Sequence, residues 1–211
     1  DVVTPASTGN STYTITVTDA NSCTAAATTT VTVNGVPGFT GISSNSTICS
    51  GQTLSLTAGS DIGTTYSWSG PNGFTSASQN PTIGGASTLA SGTYSVTTTS
   101  AAGCTSAVGT TPVTVSATPT VTVSGNATIC NGSSTTLTAN VSSGTFPYFY
   151  TWSPSSSLSC SCSNPTATPT NTTTYSVSIN DNAGCVSSTA TVSVTVNPLP
   201  NAGTITGLLQ V

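Results

Sequence analysis

One segment returns at a fixed interval, and that interval limits the fold more than any other feature of the chain. "TYTITVTDANSC" (12–23), "TYSVTTTSAAGC" (93–104) and "TYSVSINDNAGC" (174–185) put Tyr13, Tyr94 and Tyr175 at 81-residue spacing, and Cys23, Cys104 and Cys185 keep it. A second segment keeps the same interval: "STICSGQTLSLTA" (46–58) and "ATICNGSSTTLTA" (127–139). Trp68 and Trp152 lie 84 residues apart, so three residues are inserted before the second Trp and recovered before Tyr175. Insertions confined to connections are expected where strands are fixed and loops vary. A period of this size has to be settled before any finer reading of the fold.

Short links containing Pro, "NGVPG" (34–38), "SATPT" (116–120) and "NPLPN" (197–201), recur at one phase of the period. Boundaries placed there divide the chain into the C-terminal part of a repeat (1–36), two complete repeats (37–117 and 118–198) and the start of another (199–211). The partial ends cannot complete one another, which predicts a piece of a longer array. Within a repeat the apolar residues alternate, as in Tyr175, Val177, Ile179 and in Val192, Val194, Val196. Alternation puts one face of a strand on a core and the other in water. About seven such strands per repeat, separated by Gly, Asn and Pro turns, predict an all-β fold of tandem antiparallel β-sandwiches. Links this short and Pro-containing predict little freedom between repeats.

Composition removes most functions. Of 211 residues 84 are Ser or Thr and four are Asp, with no Glu, Lys, Arg, His or Met. General acid–base catalysis needs a group that titrates near neutrality, and a Ser nucleophile needs a base beside it; the chain is therefore read as not an enzyme. Nucleic acids and anionic lipid surfaces are bound through Lys and Arg, so a chain of net charge −4 without a cation is read as binding no nucleic acid. The absence of an 18-residue apolar run predicts no membrane insertion. No cofactor is expected.

The order "TIC-x-G-x-S/T-x-x-L", "Y-x-W-S", "T-Y-S-V…G-C" and "VTV-N-P-x-P" resembles the immunoglobulin-like or PKD-like repeats of giant Bacteroidota surface adhesins, the gliding-motility type among them. The resemblance covers essentially the whole chain. It implies export by the type IX route and display at the cell surface. PKD repeats follow their Trp with Gly-Asp-Gly, whereas this chain has "WSGPNG" and "WSPSSS", so the likeness supports the sandwich rather than the PKD label.

Cys49 and Cys104 are 55 residues apart, and so are Cys130 and Cys185. Cysteines repeating in phase, without His or close zinc-binding pairs, read as a disulfide framework of an oxidising compartment. The spacing predicts bridges Cys49–Cys104 and Cys130–Cys185, each stabilising its repeat by roughly 4 kcal/mol in the chain-entropy account. In antibody domains a Tyr lies two residues before the second Cys; here Tyr175 lies ten before Cys185, so the bridge is expected at one end of the sandwich. Cys160 and Cys162 are expected to close a local bridge across their loop, with a redox or metal role disfavoured because no cation stabilises a thiolate.

Tyr13, Trp68, Tyr94, Trp152 and Tyr175 are assigned to the core. Phe146, Tyr148 and Phe149 in "FPYFYTW" form either a platform for stacking on sugar or a surface packed on a neighbouring repeat, with packing preferred. Asp19 and Asp181 share one hairpin phase and read as Asx turns rather than calcium ligands, which need six to eight oxygens.

The sequence thus reads as a non-enzymatic, extracellular stalk or fibre segment of a large surface adhesin, serving attachment or gliding, whose partners are the neighbouring repeats of its own chain. Two other classes compete. A carbohydrate-binding module of a secreted hydrolase would bind glycans through the aromatics near Phe146. A subunit of a self-assembling filament would contact other filament chains.

Overall fold

Val, Ile, Thr and Tyr suit the pleated backbone because branched or flat side chains pack well across it, and strands form where these residues alternate. The computed structural model describes residues 7–201 and 203. Among these the chain is an all-β, Ig-like sandwich fold whose helical content is two single 3₁₀ turns, Pro71–Gly73 and Thr88–Ala90. The expected start of another repeat at 199–211 lies almost wholly outside the described residues.

Two compact units are present, one comprising the chain up to residue 46 and residues 53–114, the other residues 47–52 and those from 115 onward. The first ten strands are β1 (Gly9–Thr18), β2 (Thr24–Val33), β3 (Phe39–Ser44), β4 (Ile48–Cys49), β5 (Leu54–Ser60), β6 (Gly63–Ser69), β7 (Thr75–Ser76), β8 (Thr82–Ile83), β9 (Gly92–Ser100) and β10 (Gly109–Val113). All but β4 belong to the first unit. There β3-β5-β8 form one sheet and β10-β9-β6-β7 another, while β1 and β2 pair as a separate antiparallel hairpin. The alternating residues of β5, Leu54, Leu56 and Ala58, are buried together with Trp68, Tyr94, Val96 and Val113 from the four-stranded sheet. Gly70 lies against the ring of Tyr94, where a Cβ would collide with it.

The second unit takes β4 and the remaining strands: β11 (Val115–Ser116), β12 (Thr120–Ser124), β13 (Ala127–Cys130), β14 (Thr135–Thr136), β15 (Thr138–Ser142), β16 (Tyr148–Ser153), β17 (Thr166–Ala167), β18 (Thr173–Asp181) and β19 (Ala190–Asn197). One face is the four-stranded sheet β13-β19-β18-β16; the other is built from the pairs β12-β15 and β14-β17. Val121, Leu137 and Ala139 from one side meet Trp152, Tyr175, Val177, Ile179, Val192 and Val194 from the other in a single core. Each large apolar side chain buried this way contributes about 1.5–3 kcal/mol. Two short pairs run parallel, β13 with β19 and β4 with β11.

Candidate functional site

The cysteine hairpins are built by local hydrogen bonds. Asp181 follows the alternation of β18 and is 2% exposed; its Oδ1 accepts from the backbone N–H groups of Ala183 and Cys185 at 3.0 and 2.8 Å. Its Oδ2 accepts from Thr145 N at 2.8 Å, tying a neighbouring loop to the hairpin. Asp19 makes the corresponding bonds with Asn21 N and Cys23 N at 2.9 and 2.8 Å, and at Ser100 the hydroxyl accepts from Cys104 N at 3.2 Å. The residue before each cysteine has left-handed backbone, with φ of 62° at Ser22, 86° at Gly103 and 80° at Gly184. These are Asx-type turns, as expected. Among the described residues no group of three His, Cys, Asp or Glu could hold a metal ion.

Cys49 and Cys130 are also presented alike. Cys49 pairs with Ser116 and Cys130 with Asn197 in the parallel ladders, Ser50 N donates to Ser116 O at 2.8 Å, and Asn131 N donates to Asn197 O at 2.9 Å. A tight turn follows each, closed by Gln52 N to Cys49 O at 3.0 Å and by Ser133 N to Cys130 O at 2.9 Å.

The connectivity differs from the expected one. Cys49 is bonded to Cys185, with Cα atoms 5.6 Å apart and a sequence separation of 136. Cys104 and Cys130 are unbonded thiols, as is Cys23. The bridges Cys49–Cys104 and Cys130–Cys185 are therefore not formed. The physical reason is strand pairing: β4 lies on β11, residues 47–52 are built into the second unit, and Cys49 meets that unit's hairpin. Phase alone cannot distinguish a partner in the same period from one in the next. The local bridge Cys160–Cys162 is present.

Trp68, Tyr94, Trp152 and Tyr175 are buried as assigned. The indole N–H of Trp68 donates to Gln79 O at 3.3 Å and that of Trp152 to Cys162 O at 3.0 Å, so each ring is fixed at its polar edge. Tyr94 donates its hydroxyl to Ala90 O at 2.9 Å, the tyrosine-corner bond of Ig-like sandwiches. Burial pushes the Tyr94 phenol up from its ordinary pKa. Tyr13 departs from its core assignment and is only half-buried, because β1 and β2 pair with no other strand among the described residues. Phe146 and Phe149 are 78% and 57% exposed and lie outside the buried core. Tyr148 is half-buried against the core, stacks edge-on with Phe146 at 6.1 Å, and donates its hydroxyl to Ser143 O at 2.9 Å.

Two features escaped the sequence reading. Ser187 Oγ accepts from Ile179 N at 2.9 Å and donates to Ser188 O at 2.8 Å, holding β18 to the chain that leaves the hairpin. Ser106 does the same between Thr98 N and Ala107 O, at 3.1 and 2.7 Å. In a chain with 84 Ser and Thr residues these two carry no distinguishing signal beyond their shared phase. The second is the transfer of residues 47–52 to the second unit, for which no local pattern exists.

Residues 117–198 match the family described as "Ig-like domain CHU_C associated". No curated protein matches the chain. Among solved structures, the eight N-terminal Ig domains of Down syndrome cell adhesion molecule are 16% identical with a TM-score of 0.55, over 88% of this chain and 28% of that one. The titin I-band fragment I67–I69 is 12% identical with a TM-score of 0.53, over 90% of this chain and 75% of that one. Domains 3–5 of Drosophila OTK are 10% identical with a TM-score of 0.50, over 88% and 70%. At such identity the likeness is one of fold. The chain spans little more than a quarter of the eight-domain structure.

Proposed function

Residues 117–198 form an Ig-like domain of the CHU_C-associated family, and from that premise we propose that this chain is a structural stalk or fibre segment of a large Bacteroidota surface adhesin. The protein is extracellular and non-enzymatic, and it works by spacing and displaying rather than by chemistry. Tandem Ig-like repeats of 81 residues provide the length. The observation that carries this reading is the thrice-repeated hairpin, in which Asp19 and Cys23, Ser100 and Cys104, and Asp181 and Cys185 make matching backbone bonds at one interval. Further support comes from β9 and β18, whose first and last residues are offset by that same interval. The solved structures with similar folds are themselves pieces of multi-Ig proteins.

The hairpin of β1 and β2 fits this reading as the tail of a repeat. Ile15 and Val17, 66% and 61% exposed, stand at the phases of Val177 and Ile179, which are fully buried. A surface of hydroxyls with almost no charge responds little to salt and offers no site to trypsin-like proteases. Attachment, gliding and type IX export accompany the adhesin class in this proposal.

Stretching the reduced parent protein between two attachment points tests the array. Repeated unfolding steps of equal size are expected, each releasing close to the extended length of one repeat, about 270–290 Å at 3.3–3.6 Å per residue. Steps of unrelated size would contradict the reading. A second reading, a carbohydrate-binding module, is favoured by the exposure of Phe146 and Phe149. Aromatic platforms normally work with polar groups that orient the sugar. Glycan-array binding that is lost in Phe146→Ala and Phe149→Ala would select it over the stalk.

A further inference from the structure

The connectivity of Cys49 extends by symmetry to the cysteines the structure leaves as thiols. From the bridge Cys49–Cys185, we propose that in the longer chain every early-strand cysteine is bonded to the hairpin cysteine of the following repeat, forming a ladder of disulfides that each reach 136 residues. The inference rests on the array reading above. It adds that no repeat is covalently self-contained, and that force along the chain is carried across each link by a bridge as well as by the backbone.

The argument begins with local geometry. Cys130 is presented as Cys49 is: on a short strand parallel to the last strand of its repeat, with the next N–H bonded across the ladder and a turn closed three residues on. Cys104 and Cys23 occupy the hairpin position of Cys185, with the same bond from the cysteine N–H to the side chain four residues earlier. If partners were chosen within a period, Cys130 would hold Cys185 and Cys49 would hold Cys104. Neither does, although all four residues are present. The rule that fits the formed bridge is the neighbour in the next period, and under it the leftover thiols are accounted for. Cys130 requires a cysteine 136 residues downstream, beyond Val211; Cys104 and Cys23 require cysteines the same distance upstream, before Asp1.

Exposure agrees with open rungs. Cys23 and Cys130 are exposed and Cys104 is half-exposed, whereas bonded Cys185 is fully buried. Forming a rung removes two protons and two electrons from a pair of thiols and passes them to a small-molecule disulfide such as oxidised glutathione, which leaves as two thiols. An oxidising extracellular setting maintains the product.

The test extends the full chain after Val211 with a second copy of residues 131–198, which continues the repeat in phase because Val211 stands one period after Cys130. After refolding in a glutathione redox buffer, thiols are alkylated and bridges are mapped with chymotrypsin under non-reducing conditions. Cys130 should be protected from alkylation and joined to the hairpin cysteine of the added copy, while Cys23 and Cys104 stay alkylated. If proteinase K degrades the added copy as unfolded chain, the array reading fails and the ladder with it. If the added copy resists proteinase K and Cys130 is still alkylated, the ladder alone is overturned. The unextended chain supplies an independent check through Cys49→Ser. Under the ladder rule Cys185 becomes alkylatable and Cys130 remains so; a new Cys130–Cys185 bond would show that partners within a period suffice and would overturn the proposal.

Discussion

The hairpin of β1 and β2 and the hairpin of β18 and β19 carry one motif and live in opposite surroundings. Both run an alternating Tyr strand into an Asx turn and a cysteine, and both close with the same backbone bonds. In the second, Tyr175, Val177 and Ile179 are sealed between two layers; in the first, Ile15 and Val17 lie open because β1 and β2 pair with no further strand among the described residues. Turn chemistry and strand pairing are thus written locally, whereas burial is conferred by partners distant in sequence. The same contrast governs the cysteines, alike in local setting and unlike in bonding.

Substituting a charge on the two strands should separate the hairpins most strongly. Val177→Asp places an unpaired carboxylate in a closed core, a change that costs several kcal/mol, and the second unit should not fold; Ile15→Asp should alter stability by less than about 0.5 kcal/mol. Denaturant unfolding followed by Trp fluorescence reads both. Equal effects would mean that the first hairpin is covered in solution.

The aromatics sharpen the contrast within one strand. Trp152→Ala should cost about 3–5 kcal/mol, as large-to-small core changes do, while Phe149→Ala, three residues earlier and exposed, should stay within about 0.5 kcal/mol. The turn carboxylates follow. Asp181→Ala strips partners from the N–H groups of Thr145, Ala183 and Cys185 in a buried site, at a cost of about 1–3 kcal/mol. Asp19→Ala removes equivalent bonds in water and should cost less.

The smallest effect concerns acid. The backbone N–H groups of Gly38 and Ile62 hold the Asp61 carboxyl below its ordinary value. A depressed folded pKa contributes stability that is present above the unfolded value and lost as pH falls through the folded one. Stability of the first unit should therefore fall slightly below about pH 4, the ordinary Asp range. Asp61→Asn should flatten that part of the profile.

Much of the fold was legible because its signals are local. Period-two alternation located β18 and β19, whereas the Pro-containing links 34–38 and 116–120 lie inside the first and second compact units. Trp68, Tyr94, Trp152 and Tyr175 read as core because they stand in phase with apolar neighbours. Tyr13 stands in the same phase and is half-buried, since β1 and β2 pair with no further strand among the described residues, which a pattern read along one strand does not reveal. Phe146 and Phe149 suggest a surface packed on a neighbouring repeat or a sugar platform; both are exposed, and Phe149 stands on the side of β16 that faces away from the core, as either reading requires. The cysteines show the limit most clearly: Cys160 and Cys162 pair as expected, whereas for the in-phase cysteines spacing gave the phase of a partner and not its identity, because that depends on β4 joining β11.

The most direct measurement is a non-reducing chymotryptic map of the oxidised 211-residue chain. The account predicts a peptide pair linking Cys49 to Cys185, with Cys104 and Cys130 recovered alkylated. That bridge closes a loop worth roughly 5 kcal/mol in the chain-entropy relation, so reduction should lower stability measurably. Recovery of Cys49 linked to Cys104 and of Cys130 linked to Cys185 would contradict the account, return each bridge to its own repeat and remove the ladder.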